Sequence, residues 1–519
     1  MRRASTIPFT LCCAALAVAA NAHADEPRLA REPHILADPG EVTDVVDAFD
    51  DDDPFDLHVT LGFQQTWKHA TIRRESYVGN TANPLLSTGG FTAGTQNVGE
   101  YTETTSRLNT RIDIGIYRDI ALYLRMPIIL SNSRAIDDLG GSQRMQGVVL
   151  AGAPGEQLFN LPFRSPQRSG IDYLAVGADF ALLNQARDAT KPTWTIGAEG
   201  RFSIGEPMHA CTDTPKAGQV GCAYPSDINR NGTRDANSAL DPSGVDTSYS
   251  GSQLEGQFAG SRSAGVSRGT NAIEVHTLLS KRIKYVEPYG GFRMLAEFAQ
   301  GRSDFGATDL KGSVVNHPPL QGWMVLGLQV IPWEQREQFQ RLTFDFRFTG
   351  AYRSEGRDYS ELFDALGSSS AASLRRPNFA SYQRNTDPAT SGTYSSVVAP
   401  GSQKIYFTGI TDVAPYGTFQ LSTSMTWQAG EYIKFQVGAG WTHEQSHYLS
   451  LDQPCNPDFK DDVGQSGPCK TASKLAVGGQ TVTGIPNPNH RPTISLPGNR
   501  FLVDGSNLWD AWISGIVMF

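Results

Sequence analysis

The chain has 519 residues, 39% of them hydrophobic and 19% charged, with 52 glycines, 30 prolines and 6 cysteines. A formal net charge of -9 argues against nucleic acid as the main partner, and the few cysteines exclude a disulfide scaffold or a cysteine-rich metal module. No apolar run of 18 or more residues follows the amino terminus, which excludes a multi-helix membrane protein but leaves open a membrane barrel, whose strands alternate in polarity.

The first element is a targeting segment. Arg2 and Arg3 precede an apolar stretch from Ile7 to Ala20, and Ala22-His23-Ala24 supplies the small residues of a cleavage site. Residues 1–24 therefore read as a secretory signal peptide, with the mature chain starting at Asp25. Residues 25–54 read as a flexible periplasmic leader. Asp38 to Asp56 holds nine acidic residues and no basic one, and like charges at that density repel. Their spacing matches no calcium loop.

Strands begin at Leu57. Leu57, Val59, Leu61 and Phe63 alternate with His58, Thr60, Gly62 and Gln64, the period-two signature of a strand with one apolar face. The alternation recurs over Leu108–Ile116, Ile120–Ile128, Leu174–Leu182, Trp194–Ile204, Ile273–Leu279 and Val286–Phe298. It continues over Leu320–Val330, Leu342–Tyr352, Phe419–Trp427 and Ile433–Trp441, and the segment ending at Phe519 makes twelve. Five of the connections are short and six are long, in strict alternation. The longest, about 207–268, 354–410 and 447–497, hold much of the proline, glycine and serine.

Cys211 and Cys222 fall in one long loop, and Cys455 and Cys469 in another. An export route permits disulfides, so two intraloop bridges are expected. His443-Glu444-Gln445-Ser446-His447 matches a zinc-protease pattern that needs a helix to bring both histidines to one metal. Here it prolongs a strand, where the two lie about 13 Å apart, so no metal ligand is assigned. No G-x-S-x-G elbow is present.

The carboxyl terminus reads W-D-A-W-I-S-G-I-V-M-F. Trp509, Ala511, Ile513, Gly515 and Val517 share one face, Asp510 and Ser514 lie on the other, and the chain stops at Phe519. In this it resembles Gram-negative outer-membrane β-barrels, porin-like ones among them, whose last strand ends in phenylalanine. The resemblance implies recognition of that strand by the barrel assembly machinery. It also implies contact with outer-membrane lipid and lipopolysaccharide. An energised receptor of the outer membrane carries a large plug domain before its barrel. The leader is too short for one, whatever the likeness of Glu41 to Val46 to an energy-coupling box.

The expected fold is all-β: one transmembrane antiparallel up-and-down barrel over residues 55–519, of about twelve strands, with long extracellular loops. If the apolar face meets lipid, the other lines the lumen. Candidate lining residues are Arg111, Asp113, Arg125, Glu199, Arg201, Glu287, Arg293, Arg341, Asp345, Arg347 and Lys434. With Arg107, Asp179, Glu274, Glu297 and Glu444, the inward face holds eight bases and eight acids. That balance predicts no strong ion filter. Gln321, Gln329, Gln420, Ser422, Ser424, Thr426, Gln428 and Gln436 add an uncharged polar wall. Trp67, Tyr123, Trp194, Trp323, Trp427, Tyr432, Trp441, Trp509 and Trp512 lie near strand ends, as interfacial girdles require. The functional expectation is a passive outer-membrane channel for small polar solutes, not an enzyme and without a cofactor. The alternatives are a surface binding or adhesion protein on a closed barrel, and an outer-membrane lipid hydrolase.

Overall fold

The computed structural model describes residues 43, 45, 46, 48, 55–79, 91–139, 158–211, 264–300, 317–369, 374, 376–377, 404–405, 408–451, 475–477, 480–482 and 500–519. The signal peptide therefore lies outside the described residues. Twelve long strands form the wall. They are β1 (Leu57–Gly79), β2 (Phe91–Tyr117), β3 (Ile120–Asp138), β4 (Leu174–Leu183), β5 (Thr193–Phe202) and β6 (Thr270–Ser280). The remainder are β7 (Val286–Ala299), β8 (Gln321–Gln335), β9 (Gln340–Arg353), β10 (Tyr416–Gly430), β11 (Ile433–Glu444) and β12 (Phe501–Met518).

Each strand pairs antiparallel with the next, and β12 returns to β1 in a register running from His58↔Met518 to Arg74↔Phe501. Leu57 and Phe519 exchange two backbone hydrogen bonds, at 3.0 and 2.9 Å. The sheet is thus a closed barrel. Closure removes the edge and pairs the strand amides, which lipid demands. Among the described residues no helix is long and apolar enough to cross a membrane.

The apolar side chains point outward. Leu61, Phe63, Ile112, Leu122, Val176, Ile273, Phe292, Leu326, Phe346, Leu421, Val437 and Ile513 are all exposed. On β1 this outward band runs from Leu57 to Trp67. Ten residue steps make about 33 Å of strand. At the ~40° tilt of such barrels the band stands about 25 Å tall, the height of a hydrocarbon layer. Its upper limit is a row of cross-strand neighbours, Trp67, Trp509 and Trp441. Trp194, Trp427 and Tyr432 are exposed near the opposite rim. Three of the expected girdle aromatics point inward instead. The Tyr123 ring lies over Gly177, where a Cβ would approach it to 2.2 Å, and Trp512 lies likewise against Gly438. Trp323 sits beneath the Arg293 guanidinium.

Beyond the tryptophan row the polarity inverts. The outside carries the partly exposed pairs Arg73–Asp504 and Arg164–Asp137. The inside becomes apolar, with Ala70, Ile72, Tyr101, Ile136, Phe501 and Val503 in one buried cluster. Short strands Gly356–Asp358, Thr411–Val413 and His447–Ser450 continue the wall past β9, β10 and β11. The molecule is a lipid-facing barrel surmounted by a water-facing collar. Each part buries what its surroundings reject.

At the opposite rim, part of the expected leader is in place. Arg118 donates its backbone N–H to the Ala48 carbonyl, and Thr43 hydrogen-bonds Ser280 through the side chains at 2.7 Å. Thr43, Val46 and Ala48 are buried.

Candidate functional site

Period-two alternation fixes which side chains enter the lumen. The eleven lining residues expected from the sequence all stand on the inward parity of their strands. Their outward neighbours confirm the depth. Ile112 separates Arg111 from Asp113, Phe292 and Met294 flank Arg293, and Phe346 separates Asp345 from Arg347, all four apolar side chains being exposed.

These charges pair along the wall between nearby strands. On β2 Arg111 donates from Nε to both Asp113 oxygens at 2.8 and 2.9 Å, and its Nη2 lies 3.4 Å from Asp179 on β4. Asp179 in turn contacts His276 on β6 at 2.7 Å. A second chain runs from Arg125 on β3 to Glu199 on β5 at 2.5 Å, then through Arg201 to Glu274 on β6. Arg293 on β7 closes it, 2.7 Å from Glu274. Tyr289 donates to Asp345 at 2.7 Å and accepts from Arg347 at 2.8 Å. Glu287, Arg341 and Lys434 are buried nearer the periplasmic rim. The remaining arc is largely uncharged. There Gln436 reaches towards Ser424 and Thr426, and Gln64 and Thr66 donate to Asp510. The lumen thus has a salt-bridged side, from β2 to β7 and β9, and an amide and hydroxyl side.

The collar holds a second feature. After Asp358 the chain turns inward, and a short helix, Phe363–Gly367, fills the collar. Leu362, Phe363 and Leu366 have no exposed surface and pack with the cluster that contains Ile72, Phe501 and Leu449, or against Met208 and Ile410. The sequence makes this helix with an apolar pair one turn before a third apolar residue, and a glycine at its end. Buried ion pairs tie it to the wall. Asp364 accepts from Arg168 and also lies 3.6 Å from Arg134. Glu361 lies 2.8 Å from Lys68, which also reaches Glu444 at 2.6 Å. Burial pushes the Glu361 carboxyl up, but Lys68 first and His447 next outweigh it and hold the carboxyl below the usual 4.5.

The lipid-facing band, the closed register and the charged interior decide the class. The chain is an outer-membrane β-barrel. No family model matches this barrel, and no curated protein does. Among solved structures, an outer-membrane channel from Pseudomonas putida F1 aligns at 8% identity and a TM-score of 0.31, over 89% of this chain and 95% of that one. A FadL homologue from Pseudomonas aeruginosa aligns at 8% identity and 0.27, over 89% and 90%. The outer membrane protease OmpT from Escherichia coli aligns at 8% and 0.23, over 90% and 96%. Likenesses this slight say nothing of what the barrel does.

In this outer-membrane barrel the H-E-x-x-H stretch is not helical. His443 lies on the outward parity of β11, 3.2 Å from Asn507, whereas His447 is buried against Tyr416 with their rings stacked at 4.0 Å. Of the cysteines expected to pair, Cys211 is buried beside Ala210, whereas Cys222, Cys455 and Cys469 lie outside the described residues. The inserted helix falls within the segment 354–410, read from the sequence as loop. Its signal was the spacing of Leu362, Phe363 and Leu366 before Gly367.

Docking of that helix relies on close-packed glycines, Gly367 at its end and Gly409 beside it. Gly409 has φ +96°, and a Cβ there would fall 2.2 Å from the Phe363 carbonyl oxygen. Gly409→Val is therefore expected to expel the helix. Limited proteolysis of the folded barrel should then cut within residues 356–369, a stretch protected in the parent protein.

Proposed function

We propose that this outer-membrane barrel is a passive channel for small polar solutes, with the inserted segment governing its outer mouth. One observation carries the reading. At hydrocarbon depth, inward arginines such as Arg111 and Arg293 keep accessible surface inside a closed wall. A filled interior would have buried them as completely as Leu362 and Phe363 are buried in the collar. Charged groups that stay wet inside a barrel line a space for water. The reading is non-enzymatic. The barrel would sit among outer-membrane lipid and lipopolysaccharide, with the strand ending at Phe519 read by the assembly machinery.

The dry collar favours one second reading, a closed barrel that displays its loops for surface binding. Planar-bilayer recording of the purified full chain separates the two. Discrete open-channel currents are expected. Their absence across a wide pH range, with ligand capture by the loops, would establish the surface-binding alternative. Release of fatty acid from lipid by the same preparation would point instead to a hydrolase.

A further inference from the structure

We infer that the lumen selects small anions, although its acids and bases are equal in number; this rests on the channel reading above. The decisive quantity is radial position, which a count of charges does not contain. Arg111, Arg293 and Arg347 each expose 38% of the side chain, while their partners Asp113, Glu274 and Asp345 expose 11, 4 and 10%. Arg107 shows the same order against Asp172, 37% to 14%. Arg125 and Arg201 are likewise more exposed than Glu199. In every one of these pairs the cation stands towards the water and the carboxylate stands behind it in the wall.

The cause is side-chain length. From neighbouring inward positions a short carboxylate stays near the sheet, and a long arginine stem carries its guanidinium further towards the axis. Aromatic rings then hold the guanidiniums in place. Arg111 lies 4.1 Å over Tyr123, Arg293 5.5 Å over Trp323 and Arg347 5.7 Å over Tyr289. A solute in the lumen meets these cations at contact range and their counter-charges only at a longer distance, so the near field is positive. A guanidinium is also a planar fork of five donors, matched to carboxylates and other oxyanions. The opposite wall opposes this only in part: its inward acid on β12, Asp510, accepts from the neutral donors Gln64 and Thr66 and keeps its charge, a single carboxylate facing several exposed guanidiniums.

The test is the reversal potential of the full-length channel in a planar bilayer under a KCl gradient. Chloride permeability is expected to exceed that of potassium by roughly threefold or more. Replacing chloride by acetate should keep the sign. The triple variant Arg111→Gln, Arg293→Gln, Arg347→Gln should bring the ratio towards one, and the matching lysine triple variant should retain it. Glu274→Gln, which removes a backing acid, should raise anion preference. A parent channel that conducts but reverses at zero, or on the potassium side, overturns the selectivity and leaves the channel reading standing. Absence of any current overturns the channel reading and the inference with it.

Discussion

Asp364→Ala should release the inserted segment from the outer mouth and raise single-channel conductance severalfold, while the barrel keeps its heat-modifiable migration. Asp364 is buried, and it accepts from Arg168, whose own side chain is buried too. Arg134 is the second cation on the same carboxylate. Removing the acid leaves Arg168 buried beside the carbonyls of His209 and Pro166 with its charge uncompensated. Breaking a buried pair from one side costs about 3–5 kcal/mol. Arg168 opens a short strand, Arg168–Ile171, that pairs with β3, so the wall holds this cation in place by its own backbone bonds and the cost is expected to fall chiefly on docking of the segment. Borne by docking alone, that shifts the docking equilibrium by about two to four orders of magnitude. The apolar residues pull the other way, because Leu362, Phe363 and Leu366 each gain about 1.5–3 kcal/mol from burial. Asp364→Asn keeps shape and part of the hydrogen bonding, and its effect should be the smaller. Proteolysis within 356–369 should increase in step with conductance. If Asp364→Ala changes neither, the apolar contacts alone hold the segment.

How much of this the residues disclose depends on which physical force set each part. The wall was legible because lipid outside and water inside impose strict alternation. Leu57 to Phe63 and Ile433 to Trp441 could be placed with the correct side outward from periodicity alone. The same alternation put Arg111, Asp113, Glu199 and Asp345 on the inward face. It carries no radial information, so the equal number of charges implied no preference between ions, whereas the exposure of Arg347 over Asp345 orders them. The collar was illegible for a different reason. Above the tryptophan row the outside is water, so Ala70, Ile72 and Val503 turn their apolar side chains inward. A segment of loop composition then supplies the matching core. Its polar residues are not solvated but paired at long range, as Asp364 is with Arg168, and such pairing has no local signature. The bonds from Thr43 to Ser280 and from Arg118 to Ala48 are of the same long-range kind, and the acidic density near Asp50 gives no sign of them.

Acid should open the outer mouth only below the ordinary range of a glutamate, and Lys68→Met should move that opening towards neutrality. Glu361 is buried on the inserted segment, with Lys68 2.8 Å away. Burial raises its carboxyl, and Lys68 and His447 more than offset that, so the docked value lies below 4.5. A carboxylate depressed in the docked state stabilises docking at every pH above its free value, and loses that contribution as pH falls through the docked one. Conductance is therefore expected to stay constant from about pH 8 down to about pH 5 and to climb only in more acidic solution. Lys68 also holds Glu444 at 2.6 Å, so the lysine sits between two carboxylates. Without it, Glu361 faces burial and the Glu444 charge together, both of which raise its value. The transition in Lys68→Met should then begin above pH 5, or the mouth should stand open at neutral pH. Glu361→Gln in the same background removes the titrating group and should flatten the profile. Bilayer recordings across pH 3 to 8 on the three proteins decide the matter. A Lys68→Met profile identical to that of the parent would remove Glu361 as the group that senses acid.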